Sequence, residues 1–144
     1  MSLVAAQKIC YSVRLMESKV KTWFDLATGD LEFAGEILAA KKRPHYSAHF
    51  CQQAIEKLLK AIVQKRTGKA PLPVHNLKTL CNQAKLELPD EKMQWLLNLA
   101  PHYLGARYPE DLFELQKQYT QAFSERLYKE TQEIFEWLRK SYLK

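Results

Sequence analysis

The 144-residue chain is poor in the features that mark several functional classes. It contains 4 glycines, and none belongs to a Walker loop, a G-x-G-x-x-G fingerprint or a G-x-S-x-G elbow. Phosphate-cradling loops and nucleophile elbows need those glycines to let the backbone turn sharply, so kinase, P-loop and serine-hydrolase readings have no support. Its three cysteines, Cys10, Cys51 and Cys81, are far apart and form no C-x-x-C, which excludes a disulfide framework or a zinc ribbon and leads us to expect a reducing, cytoplasmic setting. The longest unbroken apolar runs, Leu3 to Ala6 and Ile37 to Ala40, are four residues long. A bilayer-spanning helix needs about 20, so no membrane partner is expected.

What remains has the composition of one ordinary globular domain, 47% hydrophobic and 26% charged. The net charge of +6 is unevenly distributed. From Lys41 to Lys78 nine basic residues face one acid, Glu56, a local +8, whereas Thr22 to Ala40 carries Asp25, Asp30, Glu32 and Glu36 with no base, a local −4. Two readings follow. Either the basic stretch meets phosphates of RNA, a nucleotide or an acidic partner, or the two stretches are neighbouring antiparallel helices whose charged rims face each other.

Apolar spacing of three, four and seven predicts helices throughout, and no segment alternates as a strand does. Trp23 to Ala40 is one such helix, ended before Pro44. Tyr46 to Arg66 carries the cleanest stripe (Phe50, Cys51, Ala54, Ile55, Leu58, Leu59, Ile62, Val63), with Gln53, Lys57, Lys60 and Gln64 on its polar side. Gly68 and two prolines, Pro71 and Pro73, stop it in a rigid loop. Asn76 caps a short helix to about Leu86, Asp90 caps another through Glu91 to Tyr103, and Gly105 to Glu110 reads as a loop. Tyr119 to Tyr142 is a long final helix. In the first 20 residues Ile9, Val13, Met16 and Val20 suggest an N-terminal extension or extra helix. The expected architecture is all-α, an up-and-down bundle of four to five long helices over residues 21–144. Surplus apolar surface on the second and last helices is expected to form a dimer interface.

Four histidines are candidates for chemistry: His45, His49, His75 and His102. His45 and His49 have metal-ligand spacing, but no third ligand is identifiable and no metal or cofactor is expected. His75 precedes the Asn76 cap, where it either bonds exposed amides or packs beneath the loop. Arg107, beside Tyr108, Glu110 and Asp111, either closes an internal salt bridge or offers its guanidinium to a phosphate.

Four stretches in this order resemble the HEPN domain family (higher eukaryotes and prokaryotes nucleotide-binding), particularly its stand-alone prokaryotic members. They are Trp23-Phe24-Asp25-Leu26-Ala27 with Asp30-Leu31-Glu32-Phe33-Ala34; His49-Phe50-Cys51-Gln52-Gln53-Ala54-Ile55-Glu56-Lys57-Leu58-Leu59-Lys60-Ala61; Thr67-Gly68 through Pro71, Pro73 and His75-Asn76-Leu77; and Ala106-Arg107-Tyr108-Pro109. The resemblance implies a helical bundle that forms a homodimer, and a binding partner of a minimal nucleotidyltransferase in a pair of toxin and antitoxin type. Other members are ribonucleases in which an Arg, followed by four to six residues and a His, positions the phosphate and moves the proton of the 2′-hydroxyl. Here no histidine follows His102, and the one Arg–His pair at that spacing, Arg43 and His49, falls at the start of the second helix. The leading expectation is therefore a non-catalytic dimeric protein that holds nucleotide or nucleic acid through Lys57, Lys60, His75, Arg107 and Tyr108. The alternatives are a metal-independent ribonuclease toxin using Arg107 or Arg43 with His49 or His75, and a structural adaptor bundle.

Overall fold

A computed structural model describes residues 1–99 and 109–144, the side chains of 109–112 and 115 excepted. Six helices follow one another: α1 Leu3–Ala39, α2 His45–Thr67, α3 Leu77–Gln83, α4 Asp90–Leu99, α5 Pro109–Gln118 and α6 Gln121–Tyr142. The fold is all-α, with no strand among the described residues. Three helices are long and three short.

The N-terminal segment is not a separate helix. Residues 3 to 39 form one continuous 37-residue helix, about 55 Å long, whose start is capped by Ser2 Oγ accepting from Ala5 N–H at 3.2 Å. No Gly or Pro interrupts the chain around residue 20, so the backbone runs straight through the expected boundary. A tight turn with Lys41 at φ 54 and Arg43 at φ 50 then sends α2 back along α1. Gly68, at φ 69, takes the left-handed position that closes α2, and its N–H donates to Gln64 O at 3.0 Å.

The following loop is tied to α3 by Gln83, whose Oε1 accepts from Leu72 N–H and whose Nε2 donates to Ala70 O. Asn76 caps α3 at Thr79 N–H, 2.9 Å, as the sequence predicts. The helix ends at Gln83 rather than near Leu86, because Lys85 turns to φ 56 and Leu86 N–H closes onto Cys81 O. Pro109 and Glu110, expected in a loop, instead open α5; Pro suits a first helical turn, where its missing N–H costs no bond. Gly105 to Tyr108 lie outside the described residues. Thr120 caps α6 at Phe123 N–H.

α2 is the centre of the molecule. Ala54, Ile55, Leu58, Leu59, Ile62 and Val63 are fully buried, and α1, α3 and α6 pack around them. Lys65 Nζ donates to the carbonyls of Leu143 and Lys144, so α2 and α6 end at the same place and run parallel, with α1 antiparallel to both. Gly35 of α1 admits the ring of Tyr128: a Cβ there would stand 2.6 Å from the phenol oxygen.

Because helices surround α2 on several sides, its expected polar side is not a free surface. Lys60 and Gln64 are buried, as are Gln52 and Glu56. The apolar surplus predicted for α2 and α6 is likewise absorbed. Among the described residues α6 exposes no large apolar side chain and α2 exposes Tyr46 alone, whereas the first half of α1 exposes six between Leu3 and Leu15.

Candidate functional site

On α2, His49, Gln53, Glu56, Lys57 and Lys60 recur at helical spacing and share one side. α1 brings Trp23 and Asp30 to that side, and the Pro-rich loop brings His75. The centre is Glu56, whose side chain is 3% exposed. Its Oε1 accepts from Lys60 Nζ at 3.0 Å, and both its oxygens lie 3.1 Å from His75 Nδ1. Gln53 Nε2 donates to Glu56 Oε2 at 3.4 Å and to Gln52 Oε1 at 2.9 Å, while Gln52 Nε2 donates to the carbonyl of His75 at 3.3 Å. These bonds fix the loop at His75 to the side of α2.

A buried carboxylate is stable only when paired and hydrogen-bonded, and here three side chains donate to it. Facing two carboxylate oxygens, His75 Nδ1 carries its hydrogen, and Nε2 is then an acceptor in the neutral ring and a second donor in the protonated one. Lys60 also lies over the Trp23 ring, 5.3 Å from its centroid. Next to this group, Lys57 Nζ meets Asp30 Oδ2 at 2.5 Å across the α1–α2 contact. His49 sits among the same charges, edge-on to Phe50. Burial, the largest influence, holds its pKa below 6.5; Asp30 and Glu56 act to raise it, Lys57 and His75 to lower it.

The structure thus brings together four sequence-predicted residues, His49, Lys57, Lys60 and His75. Lys57 and Lys60, read from the sequence as cations facing a ligand, each hold a carboxylate. One acid–base pair spans the acidic and basic stretches, as the facing-rims reading requires at that point. The charges of Asp30, Glu56, Lys57 and Lys60 cancel, so bringing in an anion changes the balance directly.

Arg43 is not brought to His49. Its charge acts on His45, and it borders a different hollow, about 460 Å³, with Phe33, Tyr46 and Phe50. His45 is 7% exposed, and neither ring nitrogen has a hydrogen-bond partner among the described residues. Its pKa falls through burial first and Arg43 second. Arg107, Tyr108 and His102 lie outside the described residues. Sequence reasoning did not single out Asp30, Glu56 and Trp23 as site residues. The signal for Glu56 was present: it is the sole acid in the basic stretch and lies within the apolar stripe's helix.

The HEPN domain profile matches residues 20–141. The chain is also similar to the crystal structure of TT1696 from Thermus thermophilus, with a TM-score of 0.69 and 21% sequence identity, over 85% of this chain and 97% of that one. No curated protein matches.

Proposed function

The chain belongs to the HEPN domain family, and from that premise we propose that it is a non-catalytic, phosphate-recognising member that acts as the binding partner of a minimal nucleotidyltransferase. The observation that carries this reading is the Asp30–Lys57 and Glu56–Lys60–His75 arrangement beside His49. Two ammonium groups and the His75 imidazole are held in place by carboxylates, with His49 among the same charges. A phosphate arriving there meets donors whose side-chain entropy is already spent. Trp23, stacked under Lys60, supplies an aromatic surface of the kind that nucleobases use.

The non-catalytic part rests on what RNA cleavage demands. Transfer at the 2′-hydroxyl needs a general base, a general acid and a cation on the phosphate within bonding distance of one substrate. Among the described residues, Glu56 accepts from His75 Nδ1, and the charges acting on His49 are those of Asp30, Glu56, Lys57 and His75.

The test is titration of the full chain with ATP and with a short single-stranded RNA. Binding is followed by intrinsic tryptophan fluorescence, and RNA integrity is checked on a gel from the same samples. Binding weakened at least tenfold by Lys57→Ala and by His75→Ala, with intact RNA, is the expected result. No binding by the wild-type chain would overturn the phosphate reading, and RNA cleavage abolished by His49→Ala would install the ribonuclease in its place. For the partner, co-purification with a co-expressed minimal nucleotidyltransferase is expected; failure to associate would remove that part of the proposal alone.

A further inference from the structure

Arg43, which the structure separates from His49, belongs to a different group of side chains at the turn between α1 and α2. Lys41, Lys42 and Arg43 follow one another there, all exposed, and none is in an ion pair among the described residues. The turn is pinned at both ends: Lys41 N–H donates to Leu38 O and Tyr46 N–H to Arg43 O, each at 3.1 Å. Lys41 and Arg43 stand at φ 54 and φ 50, a region that favours glycine, yet both positions carry cations. Beside the turn lies the hollow of about 460 Å³ that Lys42 and Arg43 border. Its walls are Phe33 and Ile37 from α1 and Tyr46 and Phe50 from α2. Phe33 and Phe50 meet edge to face with centroids 4.7 Å apart, and the buried His45 ring packs on Tyr46 at 4.4 Å. Phe33 remains 44% and Tyr46 48% exposed, so aromatic surface is open to a guest. Among the described residues Glu36 is the one acid on the border.

We propose that this turn and hollow dock an acidic segment of a protein partner, with a tryptophan of that segment seated in the hollow and its carboxylates paired with Lys42 and Arg43. The inference stands apart from the phosphate-binding reading, which uses Lys57, Lys60 and His75. Three features select this occupant. First, the aromatic and aliphatic walls reward burial of a large flat side chain, and rings set at an angle to one another offer it both faces and edges. Second, an indole has a single donor and no acceptor, and Glu36 supplies the single acceptor it needs. A nucleobase carries several donors and acceptors on its edges, and walls of Phe33, Ile37 and Phe50 would leave most of them unpaired. Third, three cations in a row against one acid favour carboxylates on the incoming chain, and the Arg43 guanidinium can take one of them through two parallel bonds. The hydrogen-bonded turn fixes the backbone of these cations before the partner arrives, which lowers the ordering cost of docking.

The experiment is fluorescence anisotropy of the full chain with a fluorescein-labelled heptapeptide that has tryptophan at its centre and glutamates on both sides. Phe33→Ala and Arg43→Glu alter the wall and the charge at exposed positions, and their melting temperatures are compared with that of the wild type. Lys129→Glu, the same change of charge at an exposed position of α6, is the control. The expected result is saturable binding by the wild type. It should be at least tenfold weaker with either hollow variant, or with alanine in place of the peptide's tryptophan, and within about twofold of wild type for Lys129→Glu. The alanine peptide needs no altered protein, so the comparison holds whatever a substitution does to the fold. Absence of saturable binding would overturn the proposal. An alanine peptide that binds as well as the tryptophan one would do the same, because charge alone would then account for the contact, and so would an equal loss with Lys129→Glu. A short single-stranded RNA is titrated against the same variants: RNA binding weakened by Phe33→Ala, with no peptide binding, would assign the hollow to bases instead. RNA binding lost through Lys57→Ala alone would concern the phosphate site, so the two readings fail separately.

Discussion

The two halves of α1 have one backbone geometry and one apolar seam but opposite surroundings. Residues 20–39 press Ala27 and Ala34 into the bundle with no exposed area, hold Lys57 through Asp30 and carry Trp23 beneath Lys60. Residues 3–15 repeat the seam in solvent. The difference teaches that a heptad pattern specifies that something packs on a helix, while the rest of the chain decides whether that something is internal. On the inner half the seam is satisfied by α2 and α6. On the outer half its side chains are exposed.

The contrast is broken most severely at Glu56. Replacing it with Ala strands the ammonium of Lys60 in a site where that side chain is 11% exposed, and takes the loop's anchor from His75. A loss of about 3–5 kcal/mol is expected in urea unfolding, because the partner charge remains buried. Leu59→Ala, at a position with no exposed area, should cost about 2–5 kcal/mol by the cavity it opens. The matched change on the arm, Ile9→Ala, should alter unfolding of the bundle by less than about 0.5 kcal/mol in a dilute monomeric sample. Equal losses at the two sites would erase the distinction between inner and outer halves. Gly35→Ala tests the closeness of the packed half: its methyl would collide with the Tyr128 ring, and a loss of about 1–3 kcal/mol is expected as the ring is displaced.

A smaller effect follows from His45. Burial keeps its folded pKa below the ordinary 6.5, so under acid conditions the unfolded chain binds a proton that the folded chain resists. The contribution is intact above pH 6.5 and is lost as the pH falls below it. The wild type should therefore lose more melting temperature between pH 7.5 and 5 than His45→Phe does; parallel profiles would deny His45 this role. Smallest of all is the Lys21–Asp25 pair, 75% and 58% exposed, where α1 emerges from the bundle. Asp25→Asn should shift stability by no more than about 0.5 kcal/mol, and less in high salt.

Much of the fold was legible because it depends on local rules. The α2 stripe, the Gly68 stop and the Asn76 cap are written within a few residues of where they act. The errors fell where a local rule was silent or incomplete. The N-terminal stripe and the one from Trp23 were read as separate although no breaker residue divides them, and Pro109 was read as a loop residue although Pro also opens helices. For the site, His49, Lys57, Lys60 and His75 were identifiable by residue type and order. Their charge state was not, because Lys57 meets an acid 27 positions away and Glu56 meets a histidine 19 positions away.

By itself, then, the sequence determined that the chain is helical and where α2 and the cap of α3 lie, since periodicity and capping are properties of neighbours along a chain. Tertiary structure alone decided that α2 is surrounded and that its lysines are neutralised by carboxylates. It also decided that the seam is covered only as far as Met16. Those outcomes depend on which segments approach through space, and burial and Coulomb energy answer to that approach rather than to order along the chain.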